Sequence, residues 1–177
     1  MAYNLQDQEQ IDELKAFWAN NGNRLMWLAV IALAVFAGWR AWNWYHDGQA
    51  QDAAREYAGL LSAADSGKIE QVRERYDAIQ KGYGSSVYAG MAGLRAAEAF
   101  AKANQPDAAV AALESVMKNS TEPGFKPIAG VRLAGLLLDQ KKYDEATKAI
   151  DSGNIGPVSG EMAASVADRR GDILAAQ

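Results

Sequence analysis

Ala92-Gly93-Leu94-Arg95 and, 37 residues further on (92 to 129), Ala129-Gly130-Val131-Arg132 decide the fold of this chain. The match at that offset continues. Ala97 lies over Ala134, Asp107-Ala108-Ala109 over Asp144-Glu145-Ala146, and Ala112-Leu113 over Ala149-Ile150. Self-similarity at a fixed spacing of this size marks stacked supersecondary units. Small residues recur where paired helices must approach closely, and aliphatic residues recur where each pair must bury a face against the next. Asp107 and Asp144 each stand near the start of a second helix, where a carboxylate meets the positive end of the dipole. The unit is a two-helix repeat, slightly longer than the tetratricopeptide unit of about 34 residues. Coincidence in an alanine-rich helical chain is the competing reading. That polar positions match along with the alanines tells against it.

Outward from this pair the pattern stays helical. It predicts helices over 49–66, 68–81, 85–103, 106–119, 126–140, 143–151 and 160–176. Breakers fall between them: Ser66-Gly67, Gly82 and Gly84, Asn104-Gln105, Pro123-Gly124, Lys141-Lys142, and Gly153 to Pro157. Pro106 sits near a helix start, where its missing N–H costs nothing. The sequence shows no alternating strand of any length. Val166-Ala167-Asp168-Arg169-Arg170-Gly171-Asp172-Ile173-Leu174 reads as the first helix of a further pair, and Gln177 stands where a turn and a second helix are due. A half-repeat leaves an apolar face uncovered. The expectation is that the natural chain continues, or that this helix docks on something else.

Toward the N-terminus, the 15 residues from Leu25 to Trp39 carry no charge. As a helix they span roughly 22 Å, short of the ~30 Å hydrocarbon core. Arg40 interrupts, but Ala41, Trp42, Trp44 and Tyr45 continue the segment to roughly 30 Å. Arg40 lies about a turn from the end, where its stem carries the guanidinium to the headgroups. Trp39, Trp42, Trp44 and Tyr45 read as an aromatic belt, and Arg24 flanks the other end. Two other readings fit the run. One is a buried core helix, disfavoured because a soluble domain has little use for four aromatics behind so long an apolar stretch. The other is a cleaved signal peptide with Ala32-Leu33-Ala34 as the cut site. Against it, Asp7, Glu9, Asp12 and Glu13 precede the run, where signal peptides are positive. Ahead of the span, Ile11, Leu14, Phe17 and Trp18 at near-helical spacing predict an amphipathic helix over 6–19 lying on the membrane, a disordered tail being the alternative. Asn20-Asn21-Gly22-Asn23 then turns the chain into the bilayer. Lys15 and Arg24 before the span balance Arg40 and Arg55 after it, so charge leaves the orientation open.

The predicted architecture is therefore all-α: a segment over 1–23, a single transmembrane helix over 24–45, and tetratricopeptide-like helical hairpins over 46–177. Composition agrees. The chain has 177 residues, 49% hydrophobic, with only four prolines, and its net charge of −4 offers nucleic acid no footprint. It has no cysteine, which removes disulfides, thiolate metal sites and cysteine nucleophiles. The single histidine, His46, has only Asp47 beside it and no second ligand nearby, so no metal site is expected. Motifs of hydrolases, phosphate loops and zinc proteases are absent, and Gly82-Tyr83-Gly84 reads as a helix-ending turn. No catalysis, cofactor or small-molecule substrate is expected. Glu70, Glu74 and Asp77, with Arg73, Arg75 and Lys81 among them, read as a solvated face with i,i+4 pairs. What can act is a surface. If first helices line a concave groove, as in tetratricopeptide folds, it carries Tyr88, Met91, Arg95, Glu98, Arg132 and Leu136. The matched Arg95 and Arg132 are candidates to hold carboxylates of a partner peptide. The alternative is that both are merely exposed or paired within the domain.

Two stretches add a resemblance. Leu14-Lys15-Ala16-Phe17-Trp18-Ala19-Asn20-Asn21-Gly22, and Gly38-Trp39-Arg40-Ala41-Trp42-Asn43 after the apolar run, resemble the start of the YfgM-like proteins of Gram-negative bacteria. Asp168-Arg169-Arg170-Gly171-Asp172 resembles a late motif of the same family. The resemblance covers most of the chain. It implies a single-span inner-membrane protein with a cytoplasmic N-terminus and a periplasmic helical-repeat domain. It also implies association with the SecYEG translocon and with a PpiD-like membrane-anchored periplasmic chaperone. On that reading the protein is a binding scaffold at the channel exit. Other readings are a scaffold of another envelope complex, such as outer-membrane assembly or cell division, and a soluble secreted adaptor cut at Ala34.

Overall fold

The computed structural model describes the backbone from residue 3 to residue 177; the side chains of residues 3–14, 16, 17, 20 and 41–48 lie outside the described residues. Its contacts divide the chain into two compact units, Met1–Asp47 and Gly48–Gln177. Helix α1 is assigned over Tyr3–Asp65 and contributes to both.

In the first unit the turn expected at Asn20-Asn21-Gly22-Asn23 does not occur, and α1 continues through it. Asn and Gly weaken a helix by only about 0.5–1 kcal/mol each, and no proline removes a backbone donor there. Gly22 is buried beneath its own helix neighbour: an added Cβ would meet the Trp18 indole at 3.3 Å. Within this unit Asn21–Arg40 is long and apolar enough to cross a membrane. Its side chains face outward, Leu33 being 66% and Val35 67% exposed, so it is not a core helix of this chain. The amphipathic face expected over 6–19 rests on Ile11, Leu14 and Phe17, which lie outside the described residues; Trp18 is exposed. The helix assignment also runs unbroken through His46-Asp47-Gly48, where a boundary was expected.

The second unit is built from hairpins of helices. The part of α1 after Gly48 is followed by α2 (Ile69–Tyr83), α3 (Val87–Lys102), α4 (Pro106–Asn119), α5 (Phe125–Asp139), α6 (Tyr143–Ala149), a single turn α7 (Ser152–Ile155), and α8 (Gly160–Ala176). Neighbours in sequence pack together from α2 to α6, and α5 also touches α3 and α8, so first helices stack on first helices.

The three hairpin turns are copies of one another at the 37-residue spacing. Gly67, Asn104 and Lys141 all adopt positive φ, at 67°, 56° and 61°. In each turn a backbone N–H reaches back across the left-handed residue to close the helix end. Lys68 N–H donates to the Ala63 carbonyl, Gln105 N–H to Phe100, and Lys142 N–H to Leu137, each at 2.9 Å. The buried positions repeat as well. Leu60, Ala97 and Ala134 correspond, as do Ala63, Phe100 and Leu137, and Val72, Ala109 and Ala146. The sequence comparison found the second and third of these hairpins. The first, over 48–83, shares the burial pattern but few identities with them: Leu60 and Ala63 stand where Ala97 and Phe100 do, so large and small residues trade places along the same helix.

The small residues do what their recurrence implied. An added Cβ on Gly93 would strike Val116 of α4, and one on Gly130 would lie 2.6 Å from the Ala149 carbonyl oxygen. α8 continues the register. Val166 is buried where Ala92 and Ala129 are, whereas Leu174, at the position of Phe100 and Leu137, is 67% exposed.

Candidate functional site

Stacked first helices bring one arginine per repeat onto a common line. Arg95 on α3, Arg132 on α5 and Arg169 on α8 are spaced 37 residues apart (95 to 132 to 169). Each leans toward the first helix before it. Arg95 pairs with Asp65 at the end of α1. Arg132 Nη1 donates to the Leu94 carbonyl of α3 at 3.4 Å. The Arg169 guanidinium lies over Gly135 of α5, close enough that an added Cβ would meet it at 3.4 Å.

The two arginines singled out from the sequence are not equivalent. Arg95 also donates to Glu98 at 2.8 Å, and Glu98 accepts from Lys102 Nζ at 2.7 Å, so the four side chains form one network. The hydrogen bond from Lys102, then that from Arg95, holds the Glu98 carboxyl below its ordinary range. Arg95 is raised, chiefly by its hydrogen bond to Glu98. Arg132 belongs to no ion pair among the described residues and is exposed. Its single bond, at 3.4 Å, is at the weak limit of hydrogen-bond geometry.

Of the six groove residues, the structure gathers Glu98, Arg132 and Leu136 around a depression of about 340 Å³ between α3 and α5. Arg95 lines a neighbouring hollow with Asp65 and Ile69. Tyr88 packs against Tyr57 with ring centroids 5.8 Å apart and the rings tilted by 44°, and Met91 is half-buried on α3. Three residues that the sequence reading did not assign to the groove complete it: Gly135 and Asp139 in the same depression, and Arg169 one repeat on. Extending the 37-residue comparison through Asp168-Arg169-Arg170 would have found Arg169.

At the other candidate surface, Trp39 is 60% exposed and Arg24 and Arg40 are exposed at the two ends of the apolar helix. The Trp42, Trp44 and Tyr45 side chains of the expected belt lie outside the described residues. The arginines of α2 behave differently from the sequence expectation. Arg73 donates to Gln105 at 2.6 Å and lies 4.7 Å from the Phe100 ring centroid, and Arg75 pairs with Glu56 at 3.0 Å. They join helices instead of bridging one solvated face, because the hairpin turns α2 against its neighbours.

A family model described as a tetratricopeptide repeat-like domain matches residues 15–177. A relative from Neisseria gonorrhoeae named ancillary SecYEG translocon subunit is 30% identical over 178 residues, covering all of this chain and 83% of its own length. The protein of the same name from Escherichia coli is 29% identical, covering 95% of this chain and 79% of the relative. One from Haemophilus influenzae is 23% identical over 85% of this chain. No solved structure matches.

Proposed function

Because the chain belongs to the family of ancillary SecYEG translocon subunits, with their tetratricopeptide repeat-like domain, we propose that it is a membrane-anchored scaffold of the Sec translocon. The single observation that carries this reading is the likeness to translocon subunits along the whole chain. The exposed apolar helix Asn21–Arg40 supports it physically. An apolar surface of that extent is costly in water and at home in a bilayer. Anchored once, with the N-terminus cytoplasmic and the repeat domain periplasmic, the protein holds its groove where translocated chains emerge. Anchoring replaces a search in solution by a high local concentration. The scaffold then links the channel to a PpiD-like periplasmic chaperone by binding, without catalysis.

The test is native purification from membranes in mild detergent. The SecYEG subunits, and with them a membrane-anchored chaperone, are expected to co-purify. Recovery of outer-membrane assembly or cell-division proteins without the channel would overturn the proposal in favour of another envelope scaffold. Protease added to intact spheroplasts is expected to cut the repeat domain and spare the N-terminus; the reverse pattern would refute the orientation.

A further inference from the structure

The repeat offers each first-helix arginine two places to find a carboxylate. One is 30 positions back, on the first helix before it; the other is three positions ahead, on its own helix. Arg95 uses both, in Asp65 and Glu98. Arg169 has Asp172 three ahead, at 3.1 Å, and Asp139 stands 30 back. Arg132 has neither: Lys102 stands 30 back and Gly135 three ahead. Lys102 is itself turned to Glu98. The middle guanidinium of the line is therefore left without a carboxylate among the described residues, and it is exposed.

A depression of about 340 Å³ lies beside Arg132, with Ala97 and Ala101 on one wall and Leu113 and Leu136 among its apolar lining. That volume lies at the small end of ligand pockets and has room for an aliphatic side chain together with part of the segment that carries it. The acidic groups facing it are accounted for. Glu98 is neutralised by Arg95 and Lys102. Asp139 lies seven residues along α5 from Arg132, about 10 Å away along the axis.

We infer that Arg132 and the hollow beside it between α3 and α5 form a docking point for a partner-protein segment carrying a carboxylate next to an aliphatic side chain. The carboxylate takes the place that Glu98 and Asp172 fill for the neighbouring arginines, and a guanidinium fork meets it with two parallel hydrogen bonds. The aliphatic side chain enters the hollow. This rests on the reading of the chain as a protein-binding scaffold and names the chemistry of its groove.

The test uses the full chain in phosphatidylcholine nanodiscs and a dye-labelled hexapeptide, GGDLGG, with GGKLGG as its control. Fluorescence polarisation is expected to show the aspartate peptide binding near or below ~1 mM and at least about tenfold more tightly than the lysine peptide. Arg132→Gln and Gly135→Glu are each expected to abolish the difference. Arg132→Gln is the decisive variant, because it removes the guanidinium at an exposed position; Gly135→Glu adds a carboxylate that stands against the Arg169 guanidinium as well as near Arg132. A Cβ at that position meets the Arg169 guanidinium only at ordinary contact distance, so its unfolding midpoint is expected to be no lower than the parent's. Equal binding of the two peptides by the parent, or unchanged discrimination in a folded Arg132→Gln, would overturn the inference. So would binding of glycerol phosphate through Arg132 in place of the peptide, which would make a lipid headgroup the occupant. Recovery of SecYEG by the parent in mild detergent separates the two claims. If the channel is recovered and the peptides are not distinguished, only the docking point fails; if the channel is not recovered, the scaffold reading fails.

Discussion

Glu98 accepts hydrogen bonds from two cations, and its contribution to stability follows from that. Its carboxyl is held below the ordinary range, so the folded state favours the charged form. The contribution is present above the ordinary glutamate pKa of about 4.3 and is lost as pH falls through the depressed value. Because Glu98 is partly exposed, about 0.5–1 kcal/mol is expected. Urea midpoints of the parent and Glu98→Gln are thus expected to differ by a constant amount from neutrality to about pH 5 and to converge as the pH falls below the depressed value. A difference that persists in strong acid would mean that packing, not charge, holds the site. The glycines give a second contrast at this scale. Gly130→Ala is expected to cost about 1–3 kcal/mol, because the new Cβ faces a backbone oxygen that only a shift of α6 can relieve. Gly171→Ala meets nothing within 4 Å and is expected to gain up to about 1 kcal/mol of helix propensity. Chemical denaturation of both variants checks the sign.

At the scale of the element, the hairpin turn is the repeated device, and its three versions are not equally good. Gly67 adopts the left-handed region without steric cost, whereas Lys141 pays about 1–2 kcal/mol for a Cβ placed against its own carbonyl. Lys141→Gly is therefore expected to raise the urea midpoint, its stability rising by about 1 kcal/mol after the added entropy of the unfolded glycine. Gly67→Ala is expected to lower it comparably. If Lys141→Gly destabilises the protein, the lysine side chain holds the turn in a way that backbone geometry does not show. The hairpin boundaries were legible because breakers and left-handed residues coincide. The turn α7 was not: Gly153 to Pro157 reads as a breaker. It forms because Ile155 is buried and Asn154 Nδ2 donates to the Lys148 carbonyl at 2.6 Å, both of which depend on where α6 ends.

For the whole molecule, the decisive property is the contrast between an alanine-packed repeat and an apolar helix with no protein around it. Leu33 lies near the middle of Asn21–Arg40. An arginine there costs about 2.5–3.5 kcal/mol of insertion. Leu33→Arg is accordingly expected to move a substantial fraction of the protein from the pellet to the supernatant after alkaline carbonate extraction, and to reduce SecYEG recovery in parallel. Retention in the pellet together with lost recovery would instead place the translocon contact on the anchor itself.

The sequence by itself determined the fold class, the hairpin period and the place of the apolar helix. These depend on local chemistry repeated along the chain: periodic apolar positions, breakers, and an uninterrupted run without charge. It also brought Arg95 and Arg132 forward as a pair, since both sit in the same motif. Only the tertiary structure decided that they differ. Whether a guanidinium is neutralised depends on residues 30 positions away on a neighbouring helix, Asp65 for one and Lys102 for the other, and on whether position 98 or 135 supplies a carboxylate. The first hairpin was hidden for a related reason. Burial is set by summed volume across facing helices, so Leu60 can stand where Ala97 and Ala134 do, and identity fades while the packing persists.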